Sequence, residues 1–116
     1  MVKNFNVYVP SRGDIVWVDF DPHRGHEQAG RRPALTISPQ TYNRKAGLAL
    51  MCPITSKVKD YPFEVFVKQN KIQGAVLADQ IQSLDWSERN TRFIEKIDAP
   101  SLESVQQKLL LLIAEE

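Results

Sequence analysis

One cysteine in 116 residues excludes an internal disulfide and a cysteine-based metal cluster. Cys52 lies inside an apolar run and is expected to be an inert buried thiol rather than a nucleophile. Two histidines, His23 and His26, are the whole supply, with no third histidine or cysteine to complete a zinc set. Long apolar runs are missing as well. The longest, residues 109–114, is far short of the ~20 residues that cross a bilayer. The first ten residues lack the apolar stretch and small-residue cleavage site of a signal peptide, so a cytoplasmic protein away from membranes is expected. No repeat, low-complexity tract or linker divides the chain, which reads as one domain over 1–116. That length suffices to bury roughly two-thirds of the unfolded surface.

Charge of one sign is also lacking overall, since the net charge is +1. Its distribution is uneven. Residues 1–60 hold nine Lys and Arg against five Asp and Glu, a balance of +4; the remainder holds six against nine, a balance of −3. A basic half can build a phosphate-facing surface on a near-neutral protein, and chance scatter in a small protein can give the same numbers.

What is present is organised around residues 13–33. Ile15 to Phe20 is β-branched or aromatic at nearly every position, with Ile15 and Trp17 on one face and Val16, Val18 and Phe20 on the other. Both faces are apolar, so the strand should be covered on both sides, and Trp17 is expected in the core. Asp21-Pro22 stops it, and a charged loop at 23–32 follows before the chain re-enters an apolar run. Strands are expected at 14–20, 33–37, 48–54, 63–68, 74–81 and 91–97. A helical turn over 42–46 should end at Gly47, and 84–90 should be short helical or irregular structure. Pro53 near the end of the third strand implies a bulge or an edge there. The Thr55 to Tyr61 stretch is a second polar loop, carrying Lys57 and Lys59. Ala99-Pro100-Ser101 opens a helix with Ser101 as its expected N-cap. Leu102, Val105, Leu109, Leu112 and Ile113 form its apolar stripe, whose last turn is either enclosed by the sheet or meets a partner subunit. Six short strands, one long helix and no βαβ alternation predict a mainly β fold, a small antiparallel barrel with short helices and a C-terminal α-helix.

Taken alone, His23 and His26 are the residues best suited to acid–base work near neutral pH. The wider pattern points elsewhere. Gly-Asp-Ile-Val-Trp-Val-Asp-Phe-Asp-Pro at 13–22, Gly25-His26-Glu27-Gln28-Ala29-Gly30 and Arg32-Pro33-Ala34 resemble the MazF/PemK toxin family. So do Pro53-Ile54-Thr55-Ser56, Tyr61-Pro62-Phe63-Glu64-Val65 and Ala78-Asp79-Gln80-Ile81. The resemblance runs in order from about Tyr8 to the C-terminal helix. It implies an SH3-like barrel and a sequence-specific, ribosome-independent endoribonuclease that cuts single-stranded RNA. It further implies a homodimer neutralised by an antitoxin, with no metal or organic cofactor. An acidic antitoxin tail would block the basic loops by mimicking RNA.

The family pattern places catalysis on the arginine of the Arg-Pro pair and on a threonine after the third strand, here Arg32 and Thr55. Cutting RNA without a metal requires a proton acceptor for the 2′-hydroxyl, a donor for the leaving 5′-oxygen and positive charge on the phosphorane. An arginine keeps its proton far above neutral pH, so acting as free base at pH 7 would cost roughly 7–8 kcal/mol. Arg32 is therefore expected as a bidentate phosphate clamp, with Thr55 Oγ1 on a non-bridging oxygen. Glu27 or a phosphate oxygen would take the 2′ proton. Glu27, Gln28 and Gln80 are candidate readers of bases, while Ser56, Lys57 and Lys59 are candidates for holding RNA beside the site. Each has a plainer alternative: a salt bridge of Arg32 to Asp19 or Asp21, a turn-forming Thr55 hydroxyl, a Gln80 amide bracing a loop. His23 and His26 fall outside the motif and read as loop residues. Trp86 is open between base stacking, partner contact and packing.

Two other functions compete. A toxin of the same fold that poisons a topoisomerase relies on a Trp-Gly-Ile C-terminus, whereas this chain ends Ala114-Glu115-Glu116. A non-catalytic nucleic-acid-binding barrel would bind RNA and never cut it.

Overall fold

The computed structural model describes residues 7–20 and 30–114; His23, His26, Glu27 and Gln28 lie outside them. Strand β1 (Asp14–Phe20) forms where expected. Ile15, Val16 and Val18 are fully buried, and Phe20 nearly so. Strand β2 (Gly30–Thr36) starts earlier than the sequence suggests, so Arg31 and Arg32 are strand residues rather than loop residues. Pairing with β1 decides this: Phe20 faces Gly30, Asp19 faces Arg31 and Val18 faces Arg32. Pro33 is tolerated inside the strand because the ladder to β3 begins only at Ala34.

A helix α1 (Gln40–Ala46) ends at Gly47, whose φ of 71° is the left-handed conformation that glycine adopts without strain. Strand β3 (Ala49–Thr55) is central. On one side it meets β2; on the other it meets β5 (Gln73–Leu77) through Ile54 and Thr55, and β6 (Gln82–Leu84) through Ala49 to Met51. Pro53 falls in the gap between those two partners, where a missing N–H breaks no ladder bond. Strands β4 (Glu64–Lys68) and β7 (Arg92–Lys96) lie at the two ends of the order β4-β5-β3-β2-β1-β7. The sheet is antiparallel and curls into a half-barrel, which agrees with the barrel expectation.

The expected strand over 74–81 is two strands. A 3-10 turn, Ala78–Gln80, separates β5 from β6, and the register against β3 shifts by three residues across it. The break lets one side of β3 take two partners, β5 at Ile54 and Thr55 and β6 at Ala49 to Met51. The 84–90 segment holds the 3-10 turn Trp86–Glu88, as expected.

Helix α2 (Ala99–Ile113) is capped by Asp98, not by Ser101. The Asp98 carboxylate accepts the Ser101 N–H at 2.8 Å, which makes Ser101 the third helical residue. Val105 and Leu109 bury against Ile15, Leu35, Cys52, Ile54, Val65 and Val67 on one face of the sheet. Val16, Val18, Phe20, Ala34, Met51, Leu84 and Trp86 fill the other. The last turn of α2 is not enclosed: Leu110 to Ile113 are all exposed, Ile113 by 78%. Trp17 is also exposed, at 40%, because the core contacts of α2 reach Ile15 but not the middle of β1. Trp86 is core: its indole N–H donates to the Asn43 carbonyl at 3.0 Å. Asn43 is itself fully buried, donating to the carbonyls of Pro10 and Ser38 and accepting from the Ser38 hydroxyl. Among the described residues, no helix is long and apolar enough to cross a membrane.

Candidate active site

Strand pairing brings together two residues that lie 23 positions apart in the sequence. β2 and β3 pair Thr36 with Met51, Leu35 with Cys52 and Ala34 with Pro53. The ladder ends at Ala34 and Pro53, so Arg32 on β2 and Thr55 on β3 each lie two residues past its end. Residues directly opposite in an antiparallel pair project to the same face, and Arg32, opposite Val18, shares that of Val18 and Ala34. Arg32 is half-buried, while Thr55, the last residue of β3, is 8% exposed.

The Thr55 hydroxyl oxygen accepts the Lys57 N–H at 3.1 Å, closing a tight turn that exposes Ser56 and Lys57. The turn-forming role foreseen as the plainer alternative is thus real. It uses one lone pair and leaves the hydroxyl proton available to donate. A hydroxyl donor, a guanidinium on the same face and a lysine two residues on form a set suited to oxyanions.

Arg31 points to the opposite face from Arg32. It donates to the Asp19 carboxylate at 3.1 Å and to the Asn90 carbonyl at 2.8 Å. Asp19 is therefore the partner of Arg31. The Asn90 turn is also tied to this end of β1 through Arg89, which donates to the Asp19 carbonyl at 3.0 Å and pairs with Asp85 four residues before it. Sequence reading missed this brace. The Asp85–Arg89 spacing was its visible signal, but its target on β1 was not.

Gln80 is not brought level with Thr55. The β3 register sets Ala75 opposite Thr55, and the Ala78–Gln80 turn lies farther back along β3, where the Ala78 carbonyl is 3.9 Å from Cys52 Sγ. The Gln80 Oε1 atom is sealed from solvent without a hydrogen-bond partner. It therefore does not brace its loop through that oxygen. Burial, followed by the nearby Asp79 carboxylate, pushes the Cys52 thiol up to about 12. A thiol so held is protonated near neutral pH, which agrees with an inert residue.

Comparison with known proteins gives a consistent picture. Residues 11–113 match the family described as PemK-like, MazF-like toxin of type II toxin–antitoxin systems. The chain is similar to the endoribonuclease toxin MazF of Escherichia coli strain K12, at 43% identity over 106 residues, spanning 91% of this chain and 96% of that protein. It is also similar to a crystal structure of MazF from Deinococcus radiodurans, with a TM-score of 0.88 and 46% identity, covering 92% of this chain and 98% of that one. A MazE–MazF crystal structure from the same organism gives 0.84 and 45%, covering 95% and 100%.

Proposed function

We propose that this chain, which belongs to the PemK-like, MazF-like toxin family, cuts single-stranded RNA at specific sequences without a metal ion or a ribosome. The observation that supports the reading is the β2–β3 ladder, which ends at Ala34 and Pro53, two residues short of Arg32 on one strand and of Thr55 on the other. In the proposed reaction the 2′-oxygen attacks the adjacent phosphorus and the bond from phosphorus to the 5′-oxygen breaks. The products are a 2′,3′-cyclic phosphate and a 5′-hydroxyl. The 2′ proton passes to the Glu27 carboxylate or to a phosphate oxygen, and the group that took it returns it to the departing 5′-oxygen.

Arg32 contributes fixed positive charge and a bidentate fork to the phosphorane, which carries more negative charge than the ground state. Thr55 donates to a non-bridging oxygen with the proton that its turn leaves unused. Ser56, Lys57 and Lys59 hold flanking phosphates, and Glu27, Gln28 and Gln80 contact bases. The protein acts in the cytoplasm as a homodimer. Its antitoxin presents an acidic segment that competes with RNA for the basic loops.

The test is incubation of purified, antitoxin-free protein with a long end-labelled RNA in EDTA, beside Arg32→Ala. Discrete cuts that persist in EDTA and vanish in a folded Arg32→Ala variant are expected. Folded wild-type protein that binds the RNA and leaves it intact would overturn the reading in favour of a non-catalytic binding barrel.

A further inference from the structure

The loop at 56–63, between β3 and β4, carries Lys57 and Lys59 and is held at several points. The Glu64 carboxylate accepts the Lys59 N–H at 3.1 and 3.2 Å through its two oxygens, and the Tyr61 N–H at 3.3 Å. One carboxylate thereby closes the turn around Asp60, whose φ is 58°. Lys108 reaches from α2 to donate to the Pro62 carbonyl at 2.7 Å. The Tyr61 ring tilts against Phe63, with centroids 6.0 Å apart. Finally, the Tyr61 hydroxyl donates to the Asp79 carboxylate.

The last contact differs in kind from the others. Glu64 and Lys108 fix the loop to strand β4 and helix α2. The Tyr61–Asp79 bond ties the middle of the loop to the Ala78–Gln80 turn, whose Ala78 N–H also holds the end of the loop by donating to the Phe63 carbonyl at 3.0 Å. Asp79 is the chain neighbour of Gln80, whose Oε1 has no hydrogen bond of its own to fix it. The side chains of Tyr61 and Asp79 are both exposed, so their bond contributes little to core packing. The hydrogen bond to Asp79 raises the phenol above its ordinary range, which keeps it a donor at physiological pH.

We propose that Tyr61 and Asp79 are positioning residues for RNA selectivity: the backbone bond at Phe63 holds only the end of the loop, and the Tyr61–Asp79 hydrogen bond sets the spacing between its lysine-bearing part and Gln80. That spacing fixes the register between the phosphates held at Lys57 and Lys59 and the base read at Gln80. This inference rests on the endoribonuclease reading above and deepens it. With the bond opened, the lysines still attract phosphate, because their charge is unchanged. They do so from a spread of loop positions, so the penalty against a wrong base at Gln80 weakens. Neither residue touches the reacting phosphate, so the chemical step at a good site proceeds as before.

The experiment digests a randomised RNA library with wild-type protein, Tyr61→Phe, Asp79→Ala, Asp79→Asn and the double variant Tyr61→Phe/Asp79→Ala, and sequences the fragment ends. Thermal midpoints and single-turnover rates at the best site are measured alongside. Tyr61→Phe and Asp79→Ala should each lower the preference for the best site over its single-base variants by about 5-fold, the scale of one hydrogen bond. The double variant should be no worse than either single one, because both remove the same link. Asp79→Asn should keep the wild-type site spectrum, since an amide oxygen still accepts the phenol proton. A Tyr61→Phe spectrum identical to wild type overturns the proposal and leaves the endoribonuclease reading intact. So does a rate loss uniform over all sites. An Asp79→Asn spectrum as relaxed as that of Asp79→Ala also overturns it, because charge rather than the link would then be the cause. Wild-type protein that cuts nothing removes both the reading and the latch, and is seen before any variant is compared.

Discussion

Thr55→Val separates the two roles that meet on one hydroxyl. Valine matches threonine in volume, so the change opens no cavity at a position only 8% exposed, and it removes the oxygen alone. In the resting protein the loss falls on the Lys57 N–H, which gives up its 3.1 Å acceptor. Lys57 is exposed, so water replaces that acceptor and the stability cost stays below about 1 kcal/mol. In the transition state the loss is larger. A hydrogen bond to an ionised group is worth roughly 1.5–3 kcal/mol. At about 1.36 kcal/mol per tenfold, kcat should fall roughly 10- to 150-fold. Thr55→Ser keeps the oxygen and should restore most of the rate. The assay is single-turnover cleavage of an end-labelled oligonucleotide at saturating protein, with urea unfolding as the stability control. A Thr55→Val rate within about 2-fold of wild type, where Arg32→Ala abolishes cutting, would refute the reasoning. Thr55 would then be a turn residue and nothing more.

Other outcomes follow from the same structure. Asn43→Ala should lower the unfolding free energy by about 2–4 kcal/mol, because the carbonyls of Pro10 and Ser38 and the Ser38 hydroxyl lose a buried partner together; urea titration reads this. Trp86→Ala should cost about 3–5 kcal/mol and Trp17→Ala no more than about 1, since one indole is core and the other is half in water. Acrylamide should correspondingly quench the Trp17 emission first. The Cys52 thiol is pushed from 9.0 to about 12 in the folded protein. The folded state therefore holds a proton that the unfolded state releases, and this contribution to stability is intact below pH 9 and lost as pH rises toward 12. Unfolding free energy should fall with pH across that window, more steeply in wild type than in Cys52→Ala. Equal slopes would show that the thiol is not shielded.

How much of this was legible depended on the range of the interaction. The β1 strand and the Gly47 stop are set by residues within a few positions of one another, and both form as read. The start of β2 was misplaced because Pro33 argues locally for a strand beginning, while pairing with β1 carries the strand back to Gly30. The 74–81 stretch looked continuous because nothing local announces that β3 takes two partners on one side. Asp98 displaced Ser101 as the cap because both are good N-caps. The choice between them turns on where the helix backbone starts, a detail the side chains alone do not settle.

The sequence by itself determined the mainly β architecture, the family, and the identities of Arg32 and Thr55 as the pair to examine. These rest on periodicity and on motif residues that can be read without coordinates. Tertiary structure alone decided that β2 and β3 run side by side, in a ladder that ends two residues short of both Arg32 and Thr55. It also decided that Trp86 is core while Trp17 faces solvent, and that Tyr61 reaches Asp79 across 18 positions. The physical reason is common to all three. Side-chain type and spacing fix what a segment can bury or donate, but which partner it meets depends on strand order and register, and those are set by the packing of the whole sheet.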